Sequence, residues 1–553
     1  MKTKWMQVGI LAGLIAAQGC GGGSSSLPAP KQANLPVISG FNPSAVVAGD
    51  QVTVQITGRN FQSGATCDFG PGITVNLCEF VNDLILDAHL TVTPDAEEGL
   101  RTVTVQNPDG LHGSNATGFS VKSPAPATTG NLILNIGDAP VGNILSFSVV
   151  VEEVKLEPFL SSTGPTVLTS PRRVEISSLG ATAVPIAVTT APTNQGFCTM
   201  TVKFSSPEVT YLDAGGEVRH ESATLASDTG SVGLGCSLDP PIDLDGLKLT
   251  SIPTVVTLDF DAGASLRFNG SGTIEATPAL GRRIATVGSE NPQHYWSGAI
   301  EGLAGVVTGV FANRFAVRTS PASFTFLTNA STWFVGLAGF GDLRKGMIVQ
   351  IEATTGSDGQ FTAKKVTLEE GSLQGQESRG IVTAVSGTPA TQLTLVTQDS
   401  LSADGVAPPA GAELEVSLAG ATFEMESERV DLTNLPFTPS FDASTLFAGQ
   451  SVIVATDLPS LSPLAAKKIR LSEQAVRGSV SDLATNGGQT SFTLTLDSGS
   501  ALTALTGATF LQVIQQPNTL VTADIALAPA VVARGLLFKI EGGYALVASK
   551  IGG

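Results

Sequence analysis

The feature that most constrains the fold of this 553-residue chain is a pattern that its C-terminal part contains three times. The stretch "GVVTGVFANRFAVRT" at Gly305 recurs as "GIVTAVSGTPATQLTLVT" at Gly380 and as "GSVSDLATNGGQTSFTLTL" at Gly478. Apolar and polar residues alternate in these copies, which is the pattern of half-buried β-strands. The sequence therefore predicts three similar β modules in a row.

The copies also share a middle and a closing segment. The middle segment reads "GMIVQIEA", "GQSVIVAT" and "GLLFKIEG", and the closing segment reads "AKKVTL", "AKKIRL" and "ASKI". The second copy is the longest, so we expect an insertion in it around Asp431–Pro439. The copies resemble the domain-of-unknown-function family 5666, which implies small β-barrel-like modules of exported proteins. The predicted repeats span residues 305–371, 378–474 and 478–553.

The first folded unit is predicted over residues 35–122. Its segment "QVTVQITGRNF" alternates apolar and polar residues, and "RTVTVQNPDG" does so again before a turn that Pro108 and Gly110 favour. Together with "ISGFNPSAVVAGD" and the "FG" at Phe69, these segments resemble the IPT/TIG family of immunoglobulin-like domains. The resemblance implies a two-sheet sandwich that serves as a spacer or binding module and has no catalytic residues.

A second β unit is predicted over residues 130–281, with linkers at 123–129 and 282–304. It opens with "GNLILNIGDAPVGNILSF", which contains Asp138-Ala139-Pro140, and it has a late "LDFD" strand. This order resembles the domain-of-unknown-function family 4382, which implies a β-sandwich-like fold on the cell envelope and no known activity. The predicted fold class is therefore all-β and multidomain.

Four of the five cysteines form two local pairs. An even number of cysteines in an exported chain indicates disulfides, and we predict Cys67–Cys78 and Cys198–Cys236. A zinc site does not fit, because no CxxC spacing occurs and the four histidines are scattered.

The fifth cysteine, Cys20, follows an export signal. Two lysines precede an apolar stretch, Val8–Ala17, which is shorter than the roughly 20 residues that span a bilayer. The small residues before Cys20 resemble the lipobox of bacterial lipoproteins, which implies a cleaved signal over 1–19, lipidation of Cys20 and a tether over 20–34. The alternative is cleavage by ordinary signal peptidase after Gly19. Gly21 lacks the aspartate of inner-membrane lipoproteins, so the resemblance implies an outer-membrane location in the bacterial cell envelope and leaves surface exposure open.

Charge and motifs exclude several kinds of function. The formal net charge of −18 makes nucleic acid an unfavourable partner. The aspartates of "LDPPIDLDG" and "LDFDAG" do not complete a calcium loop, so we interpret them as solvated loop and strand charges. Asp138 is interpreted as a turn cap. The cluster His294-Tyr295-Trp296 could bind a sugar but is better explained by packing between domains. The aspartates of the two stretches above are Asp239, Asp243 and Asp245 in "LDPPIDLDG" and Asp259 and Asp261 in "LDFDAG".

No catalytic motif stands out in the sequence. The patterns GxSxG, HExxH and GxxxxGK[ST] are missing, so we predict no catalytic, cofactor or metal site. The sequence favours a lipid-anchored, non-catalytic binding, adhesion or scaffold protein whose partners are the membrane and a polysaccharide or another envelope protein. The alternative is a carbohydrate-active enzyme with a site built from loops, in which a carboxylate such as Asp243 would act.

Overall fold

The structure is a computed structural model whose chain divides into two compact units, with the boundary after residue 126. Strands make up most of both units, which confirms the predicted all-β, multidomain fold class. No helix within the described part of the chain is long and apolar enough to cross a membrane. The structure describes residues 34–48, 51–93, 96–122, 129–137, 142–159, 163–179, 183–238, 246–269, 273–287, 298–371, 375–456, 463–486, 489–522, 524–526 and 528–552.

The first unit is a sandwich of two four-stranded sheets. The sheet orders are β1-β3-β6-β5 and β2-β8-β7-β4. Alternating residues of both sheets point inward, and Phe69 and Phe119 pack edge to face at 4.9 Å between them. The strands are β1 Val37–Asn42, β2 Ala45–Val47, β3 Gln51–Arg59, β4 Thr66–Asp68, β5 Ile73–Asn82, β6 Ile85–Val92, β7 Gly99–Gln106 and β8 His112–Lys122.

The second unit begins with a larger sandwich. One sheet contains the long antiparallel pair β10 and β15, and the other has the order β13-β9-β20-β23. Phe147, Phe204 and Phe260 meet in its core. Its elements are β9 Thr129–Gly137, β10 Ile144–Glu157, β11 Thr166–Leu168, β12 Arg172–Glu175, β13 Ala183–Pro192, β14 Gly196–Phe197, β15 Thr199–Leu212, β16 Val218–Ser222, β17 Thr224–Leu225, β18 Thr229–Gly233, β19 Leu247–Lys248, β20 Thr254–Phe260, α1 Ala262–Ser265, β21 Leu266–Phe268, β22 Ile274–Ala276 and β23 Leu280–Thr286.

The three sequence repeats share one strand order. In each repeat the first strand lies between the second strand of its own hairpin and the middle strand, so β24 pairs with β25 and β28, and β30 pairs with β31 and β34. Repeat 1 contains β24 Ile300–Val310, β25 Arg314–Arg318, β26 Ser323–Leu327, β27 Trp333–Val335, a 3-10 turn Phe340–Asp342, β28 Ile348–Thr355 and β29 Phe361–Glu370. Repeat 2 contains β30 Gln376–Ser386, β31 Gln392–Ser402, β32 Glu413–Ser417, β33 Thr422–Met425, β34 Ser451–Thr456, β35 Leu464–Ala465 and β36 Lys468–Leu471.

Repeat 3 closes into a barrel of five strands in the order β37-β38-β39-β41-β40. Its first strand again pairs with both neighbours, β38 and β40. Its elements are β37 Gln474–Asn486, β38 Gln489–Leu496, α2 Ala501–Thr506, β39 Phe510–Val521, β40 Val531–Ile540 and β41 Gly543–Gly552. The extra length of repeat 2 lies between β33 and β34, around the predicted insertion at Asp431–Pro439.

The glycine that opens each sequence repeat has a steric reason. A Cβ atom on Gly380 would lie 2.0 Å from the carbonyl oxygen of Val396 in the facing strand, and one on Gly478 would lie 2.1 Å from that of Thr495. On Gly305 the added atom would meet the side chain of Val317 at 2.2 Å. Only glycine allows the hairpin strands to approach so closely at this point.

The modules of the second unit share apolar cores. Ile133 and Val255 of the large sandwich pack into the core of repeat 1, and Leu536 and Phe538 of repeat 3 pack into that of repeat 2. These shared cores hold the modules together and fix the positions of the polar side chains between them.

Candidate functional site

The three repeats are joined to one another by ion pairs. Repeats 1 and 2 are joined by three ion pairs: Lys365 with Glu428, Glu369 with Arg470, and Glu370 with Lys467. Glu473, in the link after β36, accepts a hydrogen bond of 3.0 Å from Nε of Arg534 in repeat 3. Lys550 of repeat 3 lies 3.3 Å from Glu301 of repeat 1. The contacts therefore connect repeat 1 to 2, 2 to 3, and 3 back to 1.

A groove opens where the three repeats meet, and we call it the central groove. Its volume is about 810 Å³, which is within the usual range of ligand sites, roughly 300–1,000 Å³. Repeats 1 and 3, the segment of repeat 2 between β33 and β34, and the link after β36 all contribute to its walls. The lining residues are Ala299, Ile300, Glu301, Trp333, Glu352, Ala353, Lys364, Lys365, Glu428, Arg429, Glu473, Pro517, Asn518, Thr519, Leu520, Arg534, Ser549 and Lys550.

One wall of the central groove carries an exposed indole. Trp333 begins the short strand β27, which pairs in parallel with β29 and thereby places Trp333 opposite Lys365. The Lys365 ammonium lies 5.2 Å from the centre of the indole ring, a cation–π contact. Trp333 nevertheless remains 64% exposed. The groove thus has an aromatic surface that is available to a ligand.

The charged side chains of the groove neutralise one another. Lys365 contacts Glu428 and also lies 4.0 Å from Glu352. In a second cluster, Oε2 of Glu473 accepts a hydrogen bond from Arg534 and lies 3.4 Å from the guanidinium of Arg429. Glu428 belongs to the cluster of Lys365, and its neighbour in the sequence, Arg429, belongs to the cluster of Glu473. The segment of repeat 2 between β33 and β34 therefore connects the two clusters.

Glu473 has an unused hydrogen-bonding atom. Its side chain is 1% exposed, and both arginine contacts go to Oε2. Oε1 has no hydrogen-bond partner among the residues that the structure describes. A buried carboxylate oxygen without a donor is costly, so the contacts of Oε2 with the two arginines must offset this cost.

Further buried charges lie between repeats 1 and 2. Arg470 contacts both Glu369 and Glu377, the latter at 3.4 Å. Burial raises the pKa of Glu377 to about 8, although the charge of Arg379 opposes this rise. Burial also lowers the pKa of Arg470 to about 10. Repeats 1 and 2 are therefore held by ionisable groups with little access to water.

The predicted cysteine pairs are both bonded in the structure. Cys67 and Cys78 join with a Cα–Cα distance of 5.8 Å, and Cys198 and Cys236 join with one of 5.1 Å. Each bond lies within one sandwich, the first in residues 35–122 and the second in 130–281. Cys20, with its lipidation and signal predictions, lies outside the described residues and stays a prediction.

Of the aspartates that the sequence singled out, the two within the described residues, Asp259 and Asp261, belong to no metal cluster there. Asp261 caps α1 by accepting the amide of Ala264, and Asp259 lies on the exposed side of β20. Within the described ranges, no cluster of three or more His, Cys, Asp or Glu side chains suits a metal ion. Several of the other candidates lie outside those ranges: Asp138, Asp239, Asp243, Asp245, His294, Tyr295 and Trp296.

Sequence reasoning missed the residues of the central groove. Lys365 and Lys550 occupy the same position in the closing segments "AKKVTL" and "ASKI", and this recurrence was the available signal. Trp333 and Glu473 belong to no recognisable motif. They become neighbours of one groove only because the three repeats pack around it.

Models of two protein families match parts of the chain. The model of the IPT/TIG domain matches residues 36–121, and that of a domain of unknown function, DUF5666, matches residues 304–367. The chain has an IPT/TIG domain and a DUF5666 domain. The IPT/TIG domain is the first sandwich, and the DUF5666 domain covers most of repeat 1. The likeness of residues 130–281 to family 4382 stays a prediction.

Comparisons with whole proteins add little. No curated protein matches the chain. Among solved structures, it is similar to a γ-CGTase from Alkalophilic bacillus clarkii, with 16% identity over 36% of this chain and 26% of that one and a TM-score of 0.14. The chain thus spans about a quarter of that enzyme's length. It is also similar to a protein of unknown function from Bacteroides thetaiotaomicron VPI-5482, with 11% identity over 67% and 82% and a TM-score of 0.14.

These structural likenesses are too low to carry an argument about function. The domains are more informative, because an IPT/TIG domain in a β-rich, multidomain chain fits a binding or scaffold module. The central groove is the part of this architecture in which a ligand would meet both an aromatic surface and charged side chains.

Proposed function

We propose that this chain is a lipid-anchored protein of the bacterial cell envelope that binds an envelope component in its central groove without catalysing a reaction. The observation that carries the proposal is the groove itself, whose lining includes the exposed Trp333 and four carboxylates paired with cationic side chains. Its ligand would be a polysaccharide or another envelope protein.

The groove is built to keep its shape. Ion pairs between repeats fix its charged walls, and the shared apolar cores fix the repeats behind them. A site that is rigid before binding loses less conformational entropy when the ligand arrives. This supports binding as the role of the groove.

The carboxylates of the groove support a non-catalytic role. Glu301, Glu352, Glu428 and Glu473 each contact a lysine or an arginine. These contacts suit the joining of repeats, whereas acid–base hydrolysis of a glycoside needs a pair of carboxyl groups free to exchange protons with substrate and water.

The anchor is tested by the substitution Cys20→Ala. Lipidation attaches acyl chains that each hold the protein at a membrane by about 0.8 kcal/mol per buried methylene. We expect the wild-type protein to incorporate a fatty-acid probe and to sediment with outer membranes, and the Cys20→Ala protein to be unlabelled and soluble. An unlabelled, soluble wild-type protein would mean that cleavage follows Gly19 and that the anchor is wrong.

Binding in the groove is tested on isolated cell envelopes. We expect the soluble Cys20→Ala protein, which has no acyl chains to insert into membranes, to bind envelopes from a strain that lacks the protein, and Trp333→Ala in this background to weaken the binding at least tenfold. Phe510→Ala is the matched control, because Phe510 is 56% exposed in repeat 3 but does not line the groove. Equal binding by both variants would contradict the proposed site.

The same preparations distinguish binding from the enzymatic alternative. A carbohydrate-active enzyme would release reducing sugars from envelope polysaccharide, and a loop substitution such as Asp243→Ala would abolish the release. We expect no release by the wild-type protein. Release that Asp243→Ala abolishes would establish the alternative.

A further inference from the structure

We propose that the central groove binds an uncharged segment of polysaccharide, with one sugar ring on Trp333 and sugar hydroxyls bound by the partly exposed charged side chains of the walls. This inference rests on the proposed function and names the ligand class of the same groove. Three features carry it: the exposed indole, the partly exposed charged side chains of the walls and the balance of charges.

The indole offers a flat apolar surface of the kind that a sugar ring covers. Lys365 lies over the ring of Trp333 at 5.2 Å from its centre, yet the side chain stays 64% exposed. The remaining surface can receive the C–H face of a sugar, which removes apolar area from water on both partners. A rigid indole held on a paired strand loses little entropy in doing so.

Partly exposed charged side chains of the walls can bind sugar hydroxyls. The side chains of Glu428 and Glu352 are 31% and 34% exposed, and that of Arg429 is 23% exposed. A sugar hydroxyl can donate to either carboxylate, and a neighbouring hydroxyl can accept from the guanidinium. Adjacent hydroxyl groups therefore match the acceptors and donors of the groove.

The charges of the groove favour a neutral ligand. Its walls contain four carboxylates and five cationic side chains, and all but Lys364 lie in ion pairs between them. Such paired charges present hydrogen-bond donors and acceptors to a ligand but little net field. Within the described lining of the groove, a polyanionic chain would find one lysine, Lys364, outside the ion pairs. A polyol can form hydrogen bonds with the paired groups as they are.

The test uses full-length protein on an array of neutral and acidic glycans, followed by titration calorimetry with the best oligosaccharide. We expect binding to neutral glycans, a loss of at least tenfold in affinity with Trp333→Ala, and no loss with Phe510→Ala. Titrations with deoxy versions of the oligosaccharide, each lacking one hydroxyl, should identify one position whose removal weakens binding at least tenfold.

The deoxy series tests the hydroxyl contacts without altering the ion pairs of the groove. Binding that depends on Trp333 but occurs only with acidic glycans would overturn the inference and leave the proposed function standing. If the groove binds an envelope protein in a way that depends on Trp333, and binds no glycan, the inference is likewise overturned and the proposed function stands. If the protein binds neither glycans nor envelopes, both the inference and the proposed function fail.

Discussion

Lys550, in the last strand of the chain, lies 3.3 Å from Glu301 in the first strand of repeat 1, although 249 residues separate them. The Lys550 side chain is 5% exposed, and Glu301 is 22% exposed. Burial lowers the pKa of Lys550, and the charge of Glu301 opposes that change. The pair joins the last repeat to the first, so the repeats form a closed set rather than an open row.

Removal of Lys550 should therefore destabilise the second unit. We expect Lys550→Ala to lower the free energy of unfolding by about 1–3 kcal/mol, because Glu301 is left without its cation in a partly buried place. Urea titration of the full-length protein measures this. The control is Arg477→Ala, which breaks the exposed pair with Asp497 in the same repeat and should cost less than about 1 kcal/mol. An equal effect of both substitutions would contradict a special role for Lys550.

The opening glycines of the repeats make a second prediction. A methyl group on Gly380 would lie 2.0 Å from the oxygen of Val396, so Gly380→Ala must push the hairpin strands apart. We expect a loss of about 1–3 kcal/mol in unfolding free energy. Gly341→Ala is the control, since the space around its added atom is empty. Thermal unfolding of the two variants side by side measures the difference, and a stable Gly380→Ala protein would refute the steric argument.

The repeats were predictable because their signals are local. Alternating segments and the glycines at 305, 380 and 478 lie within short stretches, and the structure gives each stretch the same strand order. The ion pairs that shape the groove were not predictable. Glu369 and Arg470 lie 101 residues apart in the chain, and nothing in either neighbourhood identifies the other. Their pairing follows from how whole modules pack.

The same distinction applies to the candidate residues. The cysteine pairs were predicted because each pair lies within one sandwich, so that local spacing was sufficient. Trp333 gave no signal, because a single tryptophan in a loop-like stretch matches no period. Its place in the groove follows from the parallel pairing of its strand with the strand of Lys365 and from the packing of the repeats.

The two disulfides should stabilise different units. On the chain-entropy model, Cys67–Cys78 contributes about 3 kcal/mol and Cys198–Cys236 about 4 kcal/mol, because the second closes the longer loop. The double substitution Cys67→Ala/Cys78→Ala should therefore lower the unfolding transition of the IPT/TIG domain alone. Cys198→Ala/Cys236→Ala should lower that of the second unit alone. Calorimetry of the full-length protein resolves the transitions, and peptide mapping without reduction should show both bonds and no bond between units.

Glu377 should give the second unit a pH-dependent stability. Its pKa of about 8 in the folded chain exceeds the ordinary value of 4.5, because burial disfavours its charge. Between these two values the folded state holds a proton that the unfolded state has released, so its contribution to stability falls as pH rises from about 4.5 to about 8. The slope contributed by one such group is at most about 1.4 kcal/mol per pH unit.

Glu377→Gln should remove this contribution, because the amide keeps the shape of the protonated acid and can still accept a hydrogen bond from Arg470, which lies 3.4 Å from the Glu377 carboxylate. We expect the variant to gain stability relative to the wild type as pH rises from 5 to 8, with little further change above pH 8. Urea titrations at each pH measure the difference. Glu413→Gln, which alters an exposed glutamate of β32, should follow the wild-type curve at every pH. A Glu377→Gln variant that is less stable than the wild type at pH 8 would mean that Glu377 is ionised in the folded chain and pairs with Arg470 as a carboxylate.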